Sequence, residues 1–252
     1  MNLGLAGKTA LVTGGGRDIG REISLTLARE GAAVAINYFH SGAEAEKTAA
    51  EIADSGGRAQ AFAADAADYG AVKAMHEEIA AAFGPVDILV NNAGYVAPNF
   101  FLKSTVEEWR RQIDVGLYSV LNCCHVMAPA MVERKFGRII NIAGDSARVG
   151  ERRLSATAAS RGGVLTLTKS LAKEFGAAGV TVNAIALGLV ETSHSDAKFI
   201  AANRDRILQS YAIKRLGRPD DVAPIAAFLA SAHASWITGQ TVSVSGGYTT
   251  AG

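Results

Sequence analysis

A glycine-rich segment near the N-terminus has residue types and a spacing that suit phosphate binding. The sequence TGGGRDIG at 13–20 follows a strand pattern ending in LVTG and opens the helical pattern IGREISLTLARE. Glycines permit a tight turn, and N–H groups at a helix N-terminus attract phosphate. The segment therefore predicts a site for a dinucleotide pyrophosphate. Its residues are Thr13, Gly14, Gly16, Arg17, Asp18, Ile19 and Gly20.

Alternating patterns indicate the elements that must position this segment. Short β-branched runs alternate with helical stretches, which is typical of a parallel α/β sheet with helices on both faces. A long helix is expected at 105–133, with Gly116 at its middle. The predicted strands are 9–13, 33–37, 59–63, 88–91, 138–142, 181–186 and 241–244.

Composition limits the classes of partner. The chain has 252 residues, 49% of them apolar, and a formal charge of +1. We expect one domain, 1–252, and no nucleic-acid or membrane partner. Cys123 and Cys124 are neighbours on a predicted helix, so neither a disulfide nor a metal site is expected. The start lacks a signal-peptide pattern, which suggests a soluble, cytoplasmic protein.

Three further motifs add to the glycine-rich segment. They are NNAG at 91–94, NIAGDSARVGERRLSATAASRGGVLTLTK at 141–169, and ITGQTVSVSGG near the C-terminus. Together the motifs resemble the short-chain dehydrogenase/reductase family, in the compact branch that includes 3-oxoacyl-ACP reductases. The resemblance runs roughly from Gly7 to Gly247. It implies a single Rossmann-type, doubly wound domain of about seven strands, with 191–218 as a substrate lid.

The resemblance also implies four catalytic positions, all of which are altered. The family's asparagine, serine, tyrosine and lysine fall here on Gly116, Gly144, Thr157 and Arg161. An aliphatic hydroxyl is a much weaker acid than a phenol, and general acid catalysis contributes about 10²–10⁴ in rate. We therefore expect ordinary family turnover to be nearly abolished. Arg161 keeps a positive charge for the cofactor ribose.

Nearby polar residues are candidate substitutes. Asp145 adjoins the altered serine position, and we name it as a substitute acid or base, although such a carboxylate often only caps or bridges. Tyr95 is a second candidate acid. Arg148, Arg152 and Arg153 suggest an anionic substrate or partner, or else a solvated, charge-balanced loop.

The resemblance extends to cofactor choice. Tyr38 stands where an acid would bind the ribose of NAD(H), while Arg17 and His40 can contact a 2′-phosphate, so NADP(H) is favoured over NAD(H). Asp18 replaces a family glycine; it can cap the helix, but it also places negative charge near the phosphates. The other implied cofactor residues are Asp65, Ala66, Asn91, Ala93, Gly94, Arg161, Gly188 and Thr192.

Three functional hypotheses remain open. The first is a divergent NADP(H)-linked oxidoreductase acting on a carbonyl or alcohol small molecule. The second is a non-redox isomerase or lyase on the same fold. The third is a non-catalytic nucleotide-binding protein, or the partner of an active relative in a hetero-oligomer. The resemblance implies a homotetramer or such a hetero-oligomer, assembled through the long helices and the C-terminal strand.

Overall fold

A seven-stranded parallel sheet forms the centre of the protein. The computed structural model describes residues 2–250, so residue 1 and residues 251–252 of the predicted domain 1–252 lie outside the described residues. The strand order is β3-β2-β1-β4-β5-β6-β7, which confirms the predicted doubly wound fold. The strands are β1 Thr9–Val12, β2 Ala33–Tyr38, β3 Arg58–Ala63, β4 Ile88–Asn91, β5 Gly137–Gly144, β6 Val180–Leu187 and β7 Thr241–Val244.

Helices cover both faces of the sheet. Their bounds are α1 Asp18–Arg29, α2 Gly42–Asp54, α3 Tyr69–Phe83, α4 Val106–Ile113, α5 Ser119–Glu133, α6 Ser146–Val149, α7 Ser155–Phe175, α8 Ala197–Gln209 and α9 Pro219–Ala230. One apolar cluster joins the sheet to α1, α2 and α9, and a second joins it to α3, α5 and α7. Because parallel sheets are buried on both faces, the strand ends are where polar residues gather.

The predicted long helix is interrupted at its middle. Thr105 caps α4 through reciprocal hydrogen bonds with Glu108. A π turn at Asp114–Tyr118 then separates α4 from α5. By length and composition, Val106–Glu133 would suffice to cross a membrane, but half of its apolar window is buried. Since α5 packs against β4 and β5, this apolar character belongs to a core helix.

Both cysteines lie within the core. Cys123 and Cys124 on α5 are free and buried. Burial raises the pKa of Cys123 well above its usual range and that of Cys124 to about 12. Neither thiol is therefore a reactive thiolate at neutral pH.

Candidate active site

The glycine-rich segment is shaped by close approach of its neighbours. Gly14 has φ +60°, and a β-carbon on Gly16 would lie 2.6 Å from the α-carbon of Ala45 on α2. The side chain of Thr48 on α2 also donates to the Gly16 carbonyl at 2.9 Å. Only glycine fits at position 16, because any side chain would displace α2.

The N-terminus of α1 is open to an anion. Arg17, the N-cap residue, makes no side-chain cap hydrogen bond and is exposed. Ile19 and Gly20 lie in the first turn, whose N–H groups have no acceptor within the helix. These N–H groups and the tight glycine turn fit a pyrophosphate, which they would hold with Arg17 at the edge.

Asp18 joins the glycine-rich segment to the 191–218 segment. Its Oδ1 accepts from the backbone N–H of Ser193 at 2.7 Å, and its Oδ2 accepts from the Ser193 hydroxyl at 2.8 Å. Its φ of +50° is in the left-handed region, which aspartate tolerates better than most residues. The carboxylate thus bonds to Ser193 and does not cap α1. Its predicted effect on nucleotide affinity stays a prediction.

Two asparagines at the end of β4 have different roles. The Asn91 amide donates to the side-chain carbonyl of Asn141 at 2.8 Å inside the sheet. The Asn92 amide donates to the carbonyls of Thr13 and Gly14 at 3.0 and 3.1 Å. Asn92 therefore shapes the glycine turn, a role that the sequence analysis missed. Thr13 accepts from the N–H of Ala93, which brings the β1 and β4 ends together.

The end of β2 carries no acid, as the sequence shows. Tyr38 is partly buried and its ring lies 3.1 Å from a β-carbon added to Gly42. His40 is exposed and contacts the Phe39 ring. Farther along the edge, Asp65 accepts from the N–H of Ala67 at 2.9 Å. Ala66 is buried, and its carbonyl accepts from the Asn122 side chain at 3.1 Å.

Helix α7 brings together the four positions that the resemblance aligns with the family's catalytic residues. Arg161 donates to the Ile142 carbonyl at 2.6 Å, two residues before Gly144 at the end of β5. One turn earlier, Thr157 reaches the end of α4 and donates to the side-chain carbonyl of Gln112 at 2.5 Å. Because that bond uses the only proton of the Thr157 hydroxyl, Thr157 has none to give a substrate.

Gly116 faces a serine. A β-carbon on Gly116 would collide with the hydroxyl of Ser160 on α7. Ser160 is 2% exposed, and its hydroxyl has no hydrogen-bond partner among residues 2–250. It therefore occupies part of the space next to the π turn in which a side chain at position 116 would begin.

Arg161 is a cation with few hydrogen-bond partners among the described residues. Its Nη2 lies where a β-carbon on Gly94 would collide with it, beside the NNAG segment. Burial lowers the pKa of Arg161 to about 10, and no carboxylate of the described residues raises it. A guanidinium in this place fits the predicted contact with the cofactor ribose, because it retains donors for the ribose hydroxyls.

Asp145 has no exposed surface. Its Oδ1 accepts from the Ser243 hydroxyl on β7 at 2.9 Å and lies 3.9 Å from the Arg148 guanidinium. Arg148 also donates to Ser243 at 2.7 Å. This geometry favours a bridge between β5 and β7 over the hypothesis of a substitute acid or base, since a proton donor must reach the substrate.

The other candidates on the substrate side are also engaged. Arg152 and Arg153 lie 5.0 and 5.9 Å from the ring centroid of Phe100, and Arg153 donates to the Pro98 carbonyl. The guanidinium of Arg111 lies 4.5 Å from the ring of Tyr95. Arg152 and Arg153 thus hold their own loop against the 98–100 segment. These contacts favour a structural role for the two arginines over an anion-binding role.

Gly188 and Thr192, which the resemblance implies as cofactor residues, follow β6. A β-carbon on Gly188 would lie 3.0 Å from the Tyr211 ring. The Tyr211 hydroxyl accepts from the N–H of Leu189 at 2.8 Å, and burial raises the pKa of Tyr211. Thr192 bonds to Ser195 within the 191–218 segment. Sequence analysis did not identify Tyr211, since it follows α8 and joins the site only through folding.

The described residues contain no group of three metal-ligating side chains. A cavity of about 230 Å³ lies between α3 and α5, lined by Tyr69, His76 and His125 among others. The Tyr69 hydroxyl and His125 Nδ1 are 2.9 Å apart. The cavity is lined neither by the glycine-rich segment nor by Gly116, Gly144, Thr157 or Arg161.

Comparisons with known proteins agree with this geometry. A family model described as enoyl-(acyl carrier protein) reductase matches residues 14–249. A 3-oxoacyl-[acyl-carrier-protein] reductase of Staphylococcus aureus is 41% identical over 240 residues, covering 95% of this chain and 97% of the relative. An acetoacetyl-CoA reductase of Shinella zoogloeoides is 37% identical over 240 residues, covering 95% and 98%.

A solved structure supports the same assignment. A mutant short-chain dehydrogenase/reductase of Serratia marcescens superposes with a TM-score of 0.90 at 36% identity, covering 97% of this chain and 98% of that one. Sequence and structure therefore agree along nearly the whole chain, and the protein belongs to the short-chain dehydrogenase/reductase family.

Proposed function

We propose that the protein is an NADP(H)-linked oxidoreductase for a carbonyl or alcohol small molecule. The observation that carries this proposal is the uncapped N-terminus of α1 behind a glycine turn that admits no side chain at Gly16. When bound, the nicotinamide supplies or accepts a hydride. The protein's own groups hold the phosphates at α1 and the ribose beside Arg161.

The preference for NADP(H) rests on the charges at the end of β2. Arg17 is exposed next to the glycine turn, and Tyr38 stands where NAD(H)-selective relatives would have an acid. A 2′-phosphate would thus meet a guanidinium and no carboxylate.

The names of two relatives suggest a substrate class. One acts on 3-oxoacyl groups of acyl carrier protein and another on acetoacetyl-CoA. Both substrates are 3-oxoacyl thioesters, so we propose this class for the present protein. Because the Thr157 hydroxyl donates its only proton to Gln112, turnover should be slow with simple ketones.

Nucleotide binding tests the cofactor assignment. Titration by nucleotide fluorescence should give a lower Kd for NADPH than for NADH. Arg17→Ala should weaken NADPH binding selectively, by about 1.5–3 kcal/mol, as for hydrogen bonds to charged groups. Arg29→Ala, at the other end of α1, is the control and should change neither Kd. An equal loss for both nucleotides would refute the role of Arg17 at the 2′-phosphate.

Turnover tests the oxidoreductase assignment. We expect NADPH oxidation with 3-oxobutanoyl thioesters, and rates with simple ketones well below about 1 s⁻¹, the low end of ordinary kcat values. NADPH binding without turnover of any 3-oxoacyl thioester or ketone would instead support a non-catalytic nucleotide-binding protein.

A further inference from the structure

The end of β5 lacks a side chain at Gly144, but a hydroxyl lies beside it. A β-carbon added to Gly144 would be 3.4 Å from Oγ of Ser146, an ordinary van der Waals distance. The Ser146 hydroxyl therefore borders the space that a side chain at position 144 would enter, although it comes from two residues farther along the chain.

The Ser146 hydroxyl is available for a ligand. Ser146 is 8% exposed, and among residues 2–250 its hydroxyl has no hydrogen-bond partner. The hydroxyl oxygen is not among the buried side-chain atoms without a partner, so it can be reached from solvent. A hydroxyl that can be reached and makes no hydrogen bond within the protein keeps its proton for a ligand oxygen at this strand end.

The backbone holds Ser146 on both sides. Asp145, the preceding residue, donates its N–H to the Leu187 carbonyl at 2.9 Å and accepts from Ser243 through its carboxylate. Four residues later, Gly150 donates to the Ser146 carbonyl at 2.9 Å. The backbone that carries this hydroxyl is thus held in place at the C-terminal end of β5, an interior strand. Donors held in place stabilise developing charge best.

Other polar groups of this region are placed less favourably for donating to a ligand oxygen at the end of β5. Thr157 donates to Gln112, and Asp145 is fully buried between β5 and β7. Tyr95 packs under Arg111. Ser146 lies beside position 144, and its hydroxyl proton has no acceptor among the described residues.

We propose that the Ser146 hydroxyl donates a hydrogen bond to the substrate's carbonyl oxygen, in place of the side chain that Gly144 lacks. This inference rests on the proposed function. The carbonyl carbon accepts a hydride supplied by the reduced nicotinamide, and the C=O π pair moves to the oxygen. Water then gives that oxygen a proton and leaves as hydroxide. Ser146 keeps its own proton and stabilises the negative oxygen.

Moving the hydroxyl back to position 144 tests the proposal by activity. Ser146→Ala should lower kcat by about 10²-fold, as for loss of one oxyanion donor, while the Kd for NADPH stays unchanged. Adding Gly144→Ser to Ser146→Ala should recover most of that loss, because a side chain at 144 meets only contacts of 3.4 Å or more. Ser155→Ala, an exposed hydroxyl at the start of α7, should leave kcat unchanged.

A binding readout separates this proposal from the proposed function. The protein, a 3-oxobutanoyl thioester and oxidised nucleotide form a complex that cannot react. Calorimetry on this complex therefore measures the Kd of the thioester. Ser146→Ala should weaken thioester binding about 2- to 10-fold, the range for one hydrogen bond, and the added Gly144→Ser should restore it. If the wild type binds the thioester without turnover, the proposed function fails and the Kd comparison still decides the role of Ser146. An unchanged Kd and kcat in Ser146→Ala, or no thioester binding by the wild type, overturns the proposal.

Discussion

Two of the four positions that the resemblance aligns with catalytic residues are glycines that face serine hydroxyls. Gly144 lies beside Ser146, and Gly116 lies against Ser160. The second pair is crowded, because the Ser160 hydroxyl lies where a β-carbon at position 116 would be. A side chain at position 116 therefore requires the Ser160 hydroxyl to rotate away or to be removed.

Gly116→Asn alone should overpack the π turn against α7. Overpacking costs about 1–3 kcal/mol, and each kcal/mol lowers Tm by about 2–4 °C in a chain of this size. The added Ser160→Ala removes the colliding hydroxyl and should recover most of the loss. Gly162→Asn is the control, since no atom lies within 4 Å of a β-carbon there. Calorimetric melting checks this; an unchanged Tm in Gly116→Asn would contradict it.

Sequence reasoning at the residue scale proposed positions but not partners. Thr157 and Arg161 lie on α7 and Gly116 faces it, while their assignment to the site stays a prediction. The contact of Thr157 with Gln112 was not predictable, because 45 residues separate them and nothing in the pattern pairs them. The same reason explains why the bond from Asp18 to Ser193 was missed.

Element boundaries were predictable where the hydrophobic pattern is sharp. All seven strands were placed to within two residues at each end, since β-branched runs bounded by polar residues have few alternatives. The long helix was found, but its π turn was not. Periodicity cannot reveal one extra residue per turn at Asp114–Tyr118, and a single glycine there is compatible with a regular helix.

The start of α9 depends on an ion pair that predicts a pH effect. Arg215 contacts both carboxylate oxygens of Asp221 at 2.6 Å, and the N–H of Arg218 donates to the same carboxylate. The hydrogen bonds from Arg215 chiefly lower the pKa of Asp221 to about 2. A folded-state pKa below the unfolded value stabilises the protein above the unfolded pKa, and that contribution is lost as the pH falls through the folded pKa.

Melting curves between pH 6 and about 2 test whether the ion pair of Arg215 and Asp221 stabilises the protein. The wild type should lose more stability than Asp221→Asn as the pH falls from about 4 to about 2, by no more than about 1 kcal/mol because the pair is exposed. Asp220→Asn, the neighbouring carboxylate, should behave like the wild type. Parallel curves for wild type and Asp221→Asn would show that the pair contributes nothing.

At the scale of the whole molecule, the fold can be predicted from the alternation of strands and helices in the sequence. The oligomeric state cannot be predicted from that alternation. Trp236 is 98% exposed between α9 and the edge strand β7. Unpaired sheet edges are places where another chain can pair. We therefore propose that Trp236 lies in the interface of the homotetramer or hetero-oligomer that the family resemblance implies, in which the C-terminal strand takes part.

Trp236→Glu should therefore reduce the assembly. Light scattering should give a mass near four chains for the wild type and one or two chains for the variant, with circular dichroism unchanged. Leu102→Glu, at a side chain that is 95% exposed in a different loop, should leave the mass unaltered. A monomeric wild type would contradict the prediction, as would an unchanged mass in Trp236→Glu.

The bond between Asp18 and Ser193 has a kinetic consequence. It joins segments 175 residues apart, so contacts within the protein already hold the 191–218 segment beside the glycine turn. We propose that this segment is a lid over bound nucleotide. Nucleotide binding then loses less conformational entropy in the lid, which favours affinity. Because the bond holds the lid in place over the bound nucleotide, we expect the nucleotide to leave slowly.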